Sequence, residues 1–434
     1  ERKGCDRNKV DYFPIDLKIV YQTVKKPTSY RFGGRYIIKA QTKIGEGGRR
    51  MQRPLENIRV LDFTRVLAGP YCTMLLVDMG AEVIKIEKPG TGDDTRSFGP
   101  FQNDESGYFM FLNRGKKSIT LDLKTPQAID VVKELVKQSD VLVENFRPGV
   151  MKKLGLDYES LRKWNPALIY TSISGFGQYG PYSQRPAYDL VAQAMGGMTS
   201  ITGHPDKPPT RAGASLGDMS AALYAAYGIM VALFHRQRTG EGQCIDISMM
   251  DSIFALLESN IMRYTVDQVV PERIGSRHPI STPFDIYKAN DGYVVIAVAN
   301  DSLFKRLCAV MRQPELAEDE RFHLDPLRTK HEAELKAIIE TWLAQYTVAE
   351  AVEMINAGGI PCSPILTIQD VCEDEHTKAR DMLVDIPHPV TGNVKVPGNP
   401  VKLSRTPPII EKPSPILGEH TSEVLKTLVN QQGV

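Results

Sequence analysis

The chain is predicted to be α/β, a doubly wound, Rossmann-like large domain joined to a smaller α+β domain. Three observations predict it. Residues 59–96, RVLDFTRVLAGPYCTMLLVDMGAEVIKIEKPGTGDDTR, spell a strand, a helix and a second strand. The same β-α-β rhythm repeats to about residue 175, which points to a parallel sheet with helices on its faces. After a loop-like stretch at 267–283, a new strand-and-helix pattern starts at Phe284.

Each element has a local cause. Residues 60–63 are a short apolar strand, and the turn through Ala68, Gly69 and Pro70 leads into a helix over 71–79. Gly80 ends that helix as a left-handed C′ residue. Residues 82–87 alternate into a second strand, ended by Lys88-Pro89-Gly90. A strand, a crossover helix and a parallel strand make a right-handed unit with a buried sheet. Ligands of such sheets sit at the carboxyl ends of the strands. Further strands are expected at 118–123, 141–144 and 168–174, with a helix at 127–138. A glycine- and proline-rich loop, GFGQYGPYSQRPAYD, separates these from helices at 190–198 and 219–236. The turn at 239–242 enters a strand at 243–248, and 251–266 reads as helix. The large domain is thus assigned to 51–266 and the linker, with Pro271, Gly275, Pro279 and Pro283, to 267–283. The small domain takes 284–366, with a strand at 293–298 and helices near 302–312, 328–345 and 348–357. Residues 367–434 form a strand-and-turn tail, proline-rich at 406–416, ending in a helix.

Composition narrows the function. The 434 residues are 42% hydrophobic and 24% charged, enough for two domains with a sizeable core. A net charge of +1 leaves no basic footprint for nucleic acid. The six cysteines (5, 72, 244, 308, 362, 372) show no CxxC, which reads as reduced thiols in a cytoplasmic protein. The eight histidines form no HxxxH or HExxH, so no metal site is expected. The most apolar segment, 219–234, is too short for a membrane span and carries Ser220, Tyr224, Tyr227 and Gly228. It is expected to be a buried core helix, and no membrane partner is expected. Residues 1–50 hold thirteen lysines and arginines against five acidic residues. They are expected to be an extension, non-native or disordered, without which the rest folds.

Asp218 stands in Ala214-Ser215-Leu216-Gly217-Asp218, at the head of the apolar helix. By position alone it is an N-cap, accepting amide hydrogens of the first turn. The helix end would also keep its carboxylate ionised at neutral pH. A second reading of the first βαβ unit is nicotinamide binding, with Glu87 at the ribose. That reading fails on the turn, because TRVLAGP has one glycine where GxGxxG needs three.

Further motifs follow in order: DLKTP at 122, VENFRPG at 143, AYDLVAQAMGG at 187, LGDMSAALYAAYGIMVAL at 216, RTGEGQCIDISM at 238, GIPCSPI at 359 and LGEHTSEVL at 417. With the 59–96 unit they resemble the family III CoA-transferases. That family includes formyl-CoA, carnitine-CoA and succinate-linked CoA-transferases, with α-methylacyl-CoA racemases as relatives. The resemblance runs from about Pro54 to the C-terminal motif. It implies that Asp218 is a covalent catalyst, passing through aspartyl anhydride and aspartyl-CoA as CoA moves from an acyl-CoA to a free acid. Gly217 would leave room for the thioester. CoA thioesters would be substrates, with no prosthetic group.

The resemblance also implies the CoA contacts. They are Leu67 and Ala68 in the first turn, Lys88, Leu121, Lys124, Asn145, Phe146, Lys153 and Arg185, with Lys152 an alternative to Lys153. Each lysine alone reads as a solvated surface charge. Arg65 and Arg114 are candidates for the acceptor carboxylate, because arginine grips carboxylates bidentately; a structural ion pair is the competing reading. Leu67 replaces the glutamine of oxalate-using members, and no GGGG run occurs. Both features favour a larger or less polar acid than oxalate. Tyr188 takes the place of the histidine that racemases use, and tyrosine is a poor base at neutral pH. Its expected role is packing near the CoA sulfur, which disfavours the alternative of a racemase. The resemblance further implies an interlocked homodimer and a tail that returns to the first domain. A non-catalytic CoA-binding or scaffold protein is the remaining class, against which the retained LGD motif argues.

Overall fold

The computed structural model describes residues 53–431. The reading of residues 1–50 lies outside the described residues. Six strands form one sheet: β1 (Arg59–Asp62), β2 (Glu82–Glu87), β3 (Lys117–Thr120), β4 (Val141–Glu144), β5 (Ile169–Ser174) and β6 (Cys244–Ser248). All neighbours run parallel, in the order β3-β2-β1-β4-β5-β6. The chain builds outward from β1 to β3, then crosses back to the other side of β1. The order therefore reverses between β1 and β4, the crevice where doubly wound sheets take ligands.

Both faces are covered, so even the polar strand residues Asp62, Lys85, Glu87 and Glu144 are buried among the apolar ones. Val60, Val83, Val141, Val143 and Ile173 pack under helices α1 (Ala68–Asp78) and α5 (Leu216–Thr239). Leu61, Ile84, Ile119, Leu142 and Tyr170 pack on the other face, under α3 (Pro126–Lys137) and the C-terminal α11 (Thr421–Gln431). Burying one such aliphatic side chain stabilises the fold by about 1.5–3 kcal/mol. Thr125 caps α3 through the Ala128 amide, and Pro126 occupies its first position, where no amide is needed.

Several helical expectations change: the helix over 71–79 starts at Ala68, and that near 328–345 is two, Asp325–Lys330 and Glu332–Leu343. The helix at 190–198 is α4 (Asp189–Met195), stopped by Gly196 and a left-handed Gly197 (φ 93°). The helix at 219–236 is longer, starting at Leu216 and ending at the left-handed Gly240 (φ 77°). The span 251–266 is two helices, α6 (Met249–Ala255) and α7 (Ser259–Asp267), broken at Glu258 (φ 43°). A helix not foreseen, α2 (Gly107–Asn113), is capped by Ser106 through the Phe109 amide at 3.1 Å. Its sequence, GYFMFLN, is too uniformly apolar to show a helical period.

The expectation of a buried core helix holds for one face of α5 only. Ala221, Ala222, Ala225 and Ile229 are fully enclosed, whereas Leu223, Tyr227, Met230, Val231 and Phe234 are exposed. Of the described helices, α5 is also the one long and apolar enough to cross a membrane. Its small residues lie against α1 and the sheet.

Beyond the 267–283 segment, strands β7 (Phe284–Lys288), β8 (Tyr293–Ala297) and β9 (Cys362–Pro364) form an antiparallel sheet in the order β9-β8-β7. Helices α8 (Asp301–Val310), α9 (Glu332–Leu343) and α10 (Val348–Ala357) cover it, and Val294, Ile296, Phe304, Phe322 and Trp342 belong to its separate core. The tail makes a hairpin, β10 (Leu383–His388) with β11 (Gly392–Pro397), then returns to the large sheet. His420 donates its amide to Ser118 O at 2.9 Å, and the Thr120 amide donates to Thr421 Oγ1 at 3.1 Å. The open edge of β3 is thereby closed, as exposed sheet edges generally must be.

Candidate active site

The carboxyl ends of β1 to β5 lie along one edge of the parallel sheet, and the residues expected to bind CoA follow them. Lys124 comes after β3, Lys88 after β2, Arg65, Leu67 and Ala68 after β1, Asn145, Phe146 and Lys153 after β4, and Arg185 after β5. Lys88, Lys124, Lys153 and Arg185 are exposed and, among the described residues, pair with no carboxylate. Arg185 lies over the Tyr182 ring at 4.1 Å. Lys153 ends the single helical turn Val150–Lys153, and Lys152 beside it is equally exposed. Leu121 is half-buried just past β3. Leu67 and Ala68 are buried at the head of α1, whose N-cap residue, Leu67, supplies no capping side chain. The first amides of a helix have no partner within it and carry the positive end of its dipole. They suit a pyrophosphate.

Asn145 has a second task. Its side chain accepts from the Arg65 amide at 2.9 Å and donates to the Arg65 carbonyl at 2.8 Å, clamping the β1 turn across the crevice. The Arg65 guanidinium stays exposed, 5.7 Å over the Phe146 ring and 3.4 Å from Asp94. So loose a surface pair contributes little and leaves the cation available to a carboxylate.

Asp218 sits on the third residue of α5, a crossover helix that starts at the carboxyl edge and runs back toward β6. The N-cap reading that position alone suggests does not hold. Ser215 occupies the cap position, and the capping carboxylate comes from Asp189 of α4, which accepts the Gly217 amide at 2.8 Å. Gln193 steadies Asp189 at 2.8 Å and accepts the Ala212 amide at 3.0 Å. Asp218 accepts no hydrogen bond among the described residues. Burial and the nearby charge of Asp189 push its carboxyl up to about 7. Burial and like charge thus oppose the ionised form that the helix end favours. Gly217 also differs from expectation. A Cβ there would meet Ala192 Cβ and Asp189 Oδ1, both at 3.2 Å, so the glycine permits close packing of α4 on α5.

Sequence reasoning missed three contributors. Asp189 follows Tyr188 in the AYD motif but carried no assigned role. Tyr108 of α2 faces the same charges: burial, then Asp218 and Asp189, raise its hydroxyl above the usual tyrosine value. Beneath the β1 turn lies a buried ion cluster. Lys116 Nζ reaches Asp62 at 2.9 Å, and Lys85 Nζ reaches Asp93 at 2.8 Å. The available signal was Lys85 itself, a charge at an inward position of the strand EVIKIE.

Packing corrects one expected site residue and again excludes a reading already rejected on the turn. Arg114 is 2% exposed and grips Asp78 at 3.0 and 2.7 Å, with Pro397 O at 2.8 Å. It is a structural ion pair, unavailable to an acceptor acid. Glu87, the candidate ribose ligand, is buried and held by Arg96 at 2.8 and 2.7 Å and by Ser118 at 2.6 Å. Tyr188 is 78% exposed, immediately before Asp189 at the head of α4.

The chain matches known proteins over most of its length. The family model described as CoA-transferase family III matches residues 55–421. The chain is similar to an acetyl-CoA:oxalate CoA-transferase of Acetobacter aceti, 45% identical over 375 residues, covering 86% of this chain and 95% of that protein. It is similar to a succinyl-CoA:glutarate CoA-transferase of Mus musculus, 41% identical over 378 residues and covering 87% of each. Among solved structures, a CAIB/BAIF family protein from Brucella suis superposes with a TM-score of 0.78 at 38% identity, over 87% of this chain and all of that one. The α/β fold with its parallel central sheet is that of these neighbours. On the breadth of these matches, the chain belongs to CoA-transferase family III and is a CoA-transferase.

Proposed function

We propose that Asp218 carries the transfer covalently, moving CoA from a small acyl-CoA to a dicarboxylic acid. The observation that carries this reading is an unbonded carboxylate at the carboxyl edge whose capping duty another residue performs. The ionised Asp218 attacks the thioester carbonyl and expels CoA thiolate, leaving a mixed anhydride. The thiolate attacks the aspartyl carbonyl and releases the donor acid, leaving aspartyl-CoA. The acceptor carboxylate then displaces the thiolate, forming a second anhydride. Attack of the thiolate on the acceptor's acyl carbon yields the new acyl-CoA and restores Asp218. The uncapped head of α1 and the fan of unpaired cations hold the CoA phosphates, and Arg65 meets the acceptor. Tyr188 packs at the thioester end.

Relatives named for oxalate, glutarate, D-citramalate and mesaconate support a dicarboxylate acceptor, and acetyl-CoA and succinyl-CoA as donors. We further propose a homodimer. Its support is the exposed apolar surface of α4, α5 and α7: Leu190, Met195, Tyr227, Phe234, Met262 and Val266. A panel of acids offered with acetyl-CoA and succinyl-CoA tests the substrate class. Hydroxylamine added during turnover tests the intermediate, since it is expected to convert Asp218 to a hydroxamate found in one tryptic peptide. Transfer without that adduct, in a protein whose Asp218→Asn variant stays active, overturns the mechanism.

A further inference from the structure

The turn after β1 is held by side chains from several parts of the chain. The Thr64 amide donates to Asp62 at 2.8 Å, and its carbonyl accepts Lys85 Nζ at 2.7 Å. Asn145 takes both polar groups of the Arg65 backbone. The Val66 amide donates to Asp93 Oδ1 at 3.2 Å. Lys85 and Asp93 join beneath the turn at 2.8 Å, with side chains 0% and 1% exposed. Asp93 is itself fixed, accepting from the Thr95 amide at 2.9 Å and donating its own amide to Glu87 at 2.9 Å.

That hold opposes strain. Val66 has φ +66°, a region that β-branched residues rarely enter. Such a residue persists only where its surroundings over-determine it, and these cluster at ligand sites. The turn also lies close against the helix it feeds, an approach that only glycine permits, because a Cβ on Gly69 would come within 2.3 Å of the Thr64 side chain. A buried ion pair is a poor choice for sheet stability alone, since apolar residues of equal volume serve as well or better. The ammonium of Lys85 does what an apolar side chain cannot. It bonds the Thr64 carbonyl on one side and anchors the acceptor of the Val66 amide on the other.

We propose that the buried Lys85–Asp93 pair holds the 64–67 turn in the shape that receives the CoA thioester, which makes Lys85 a positioning residue for CoA binding. The inference rests on the reading of the α1 head as a CoA site. With the Thr64 to Val66 backbone committed to side chains, the next amides, Leu67 and Ala68, are presented at a fixed place.

Lys85→Met removes the ammonium and keeps the stem. Lys85→Met with Asp93→Asn removes both charges of the pair, so that no unpaired carboxylate is left buried. Both proteins are expected to show a KM for acyl-CoA raised about tenfold or more, with kcat within about threefold and the KM for the acid unchanged. Calorimetric titration with CoA alone is expected to show Kd weakened by the same factor. Val66→Gly added to Lys85→Met relieves the strain and is expected to recover most of that loss; a purely structural lysine predicts no recovery. Unchanged KM and Kd for CoA in the folded double variant overturn the proposal. Absence of CoA binding by the unaltered protein overturns instead the CoA-site reading beneath it.

Discussion

Replacing Asp218 by asparagine keeps the side chain's shape and deletes its charge, and the structure predicts opposite effects on activity and stability. The carboxyl is pushed from an ordinary 3.8 to about 7 by burial and by Asp189. Three units correspond to about 4 kcal/mol between the protonation states. Asp218 is only partly enclosed by area, so solvent screening reduces this to about 2 kcal/mol. The folded carboxyl holds its proton more tightly than the unfolded one. Ionising it therefore costs stability progressively from about pH 4 to about pH 7, and the full cost is present above that. Asparagine escapes the cost. Asp218→Asn is expected to melt several degrees above the parent at pH 8 and with it near pH 4. Transfer should fall by about four orders of magnitude or more, as for other deleted nucleophiles. In the parent, the rate should rise with pH through about 7 and then level as Asp218 ionises. Thermal melts at both pH values and a coupled CoA-transfer assay read these effects. A helix cap predicts a silent asparagine, because asparagine caps as well as aspartate. An active variant, or one less stable than the parent at pH 8, refutes the reasoning.

Arg114→Met leaves Asp78 buried without its bidentate partner and is expected to cost about 3–5 kcal/mol in chemical denaturation, with the acceptor KM unchanged. Arg65→Gln should do the reverse, raising the acceptor KM at nearly constant stability, because Arg65 is exposed and loosely paired. Light scattering across a dilution series should show a dimer that releases no folded monomer; a stable monodisperse monomer removes the proposal that α5 is covered by a second copy. With Tyr188 where a racemase base would stand, a chiral 2-methylacyl-CoA in deuterated water should keep its α-proton on the catalytic timescale; rapid exchange reopens the racemase reading.

Short-range chemistry was legible in the sequence. The pattern of EVIKIE, the stop at Gly80 (φ 109°), the apolar run at 141–143 and the β-prone IYTSIS at 169–174 each state their own conformation. The strand ends then locate the ligand edge, because a parallel sheet has all its carboxyl ends on one side. Motif order singles out Asp218, Asn145 and the scattered lysines, and all follow those ends or head the crossover helix. What the sequence left open depends on groups that meet only after folding. Arg65 and Arg114 are the same residue type in similar polar contexts. One emerges at the crevice and the other is buried against Asp78, thirty-six residues away along the chain. Likewise, α5 is apolar on every side, so no periodicity reveals which side meets the sheet. The state of Asp218 follows the same rule. Its neighbour in sequence is a glycine, but its charge is set by Asp189 of another helix and by the water that packing excludes. Backbone conformation is largely a matter of neighbours within a few residues, whereas burial, ion pairing and proton affinity belong to distant segments brought together, and only the tertiary structure decides them.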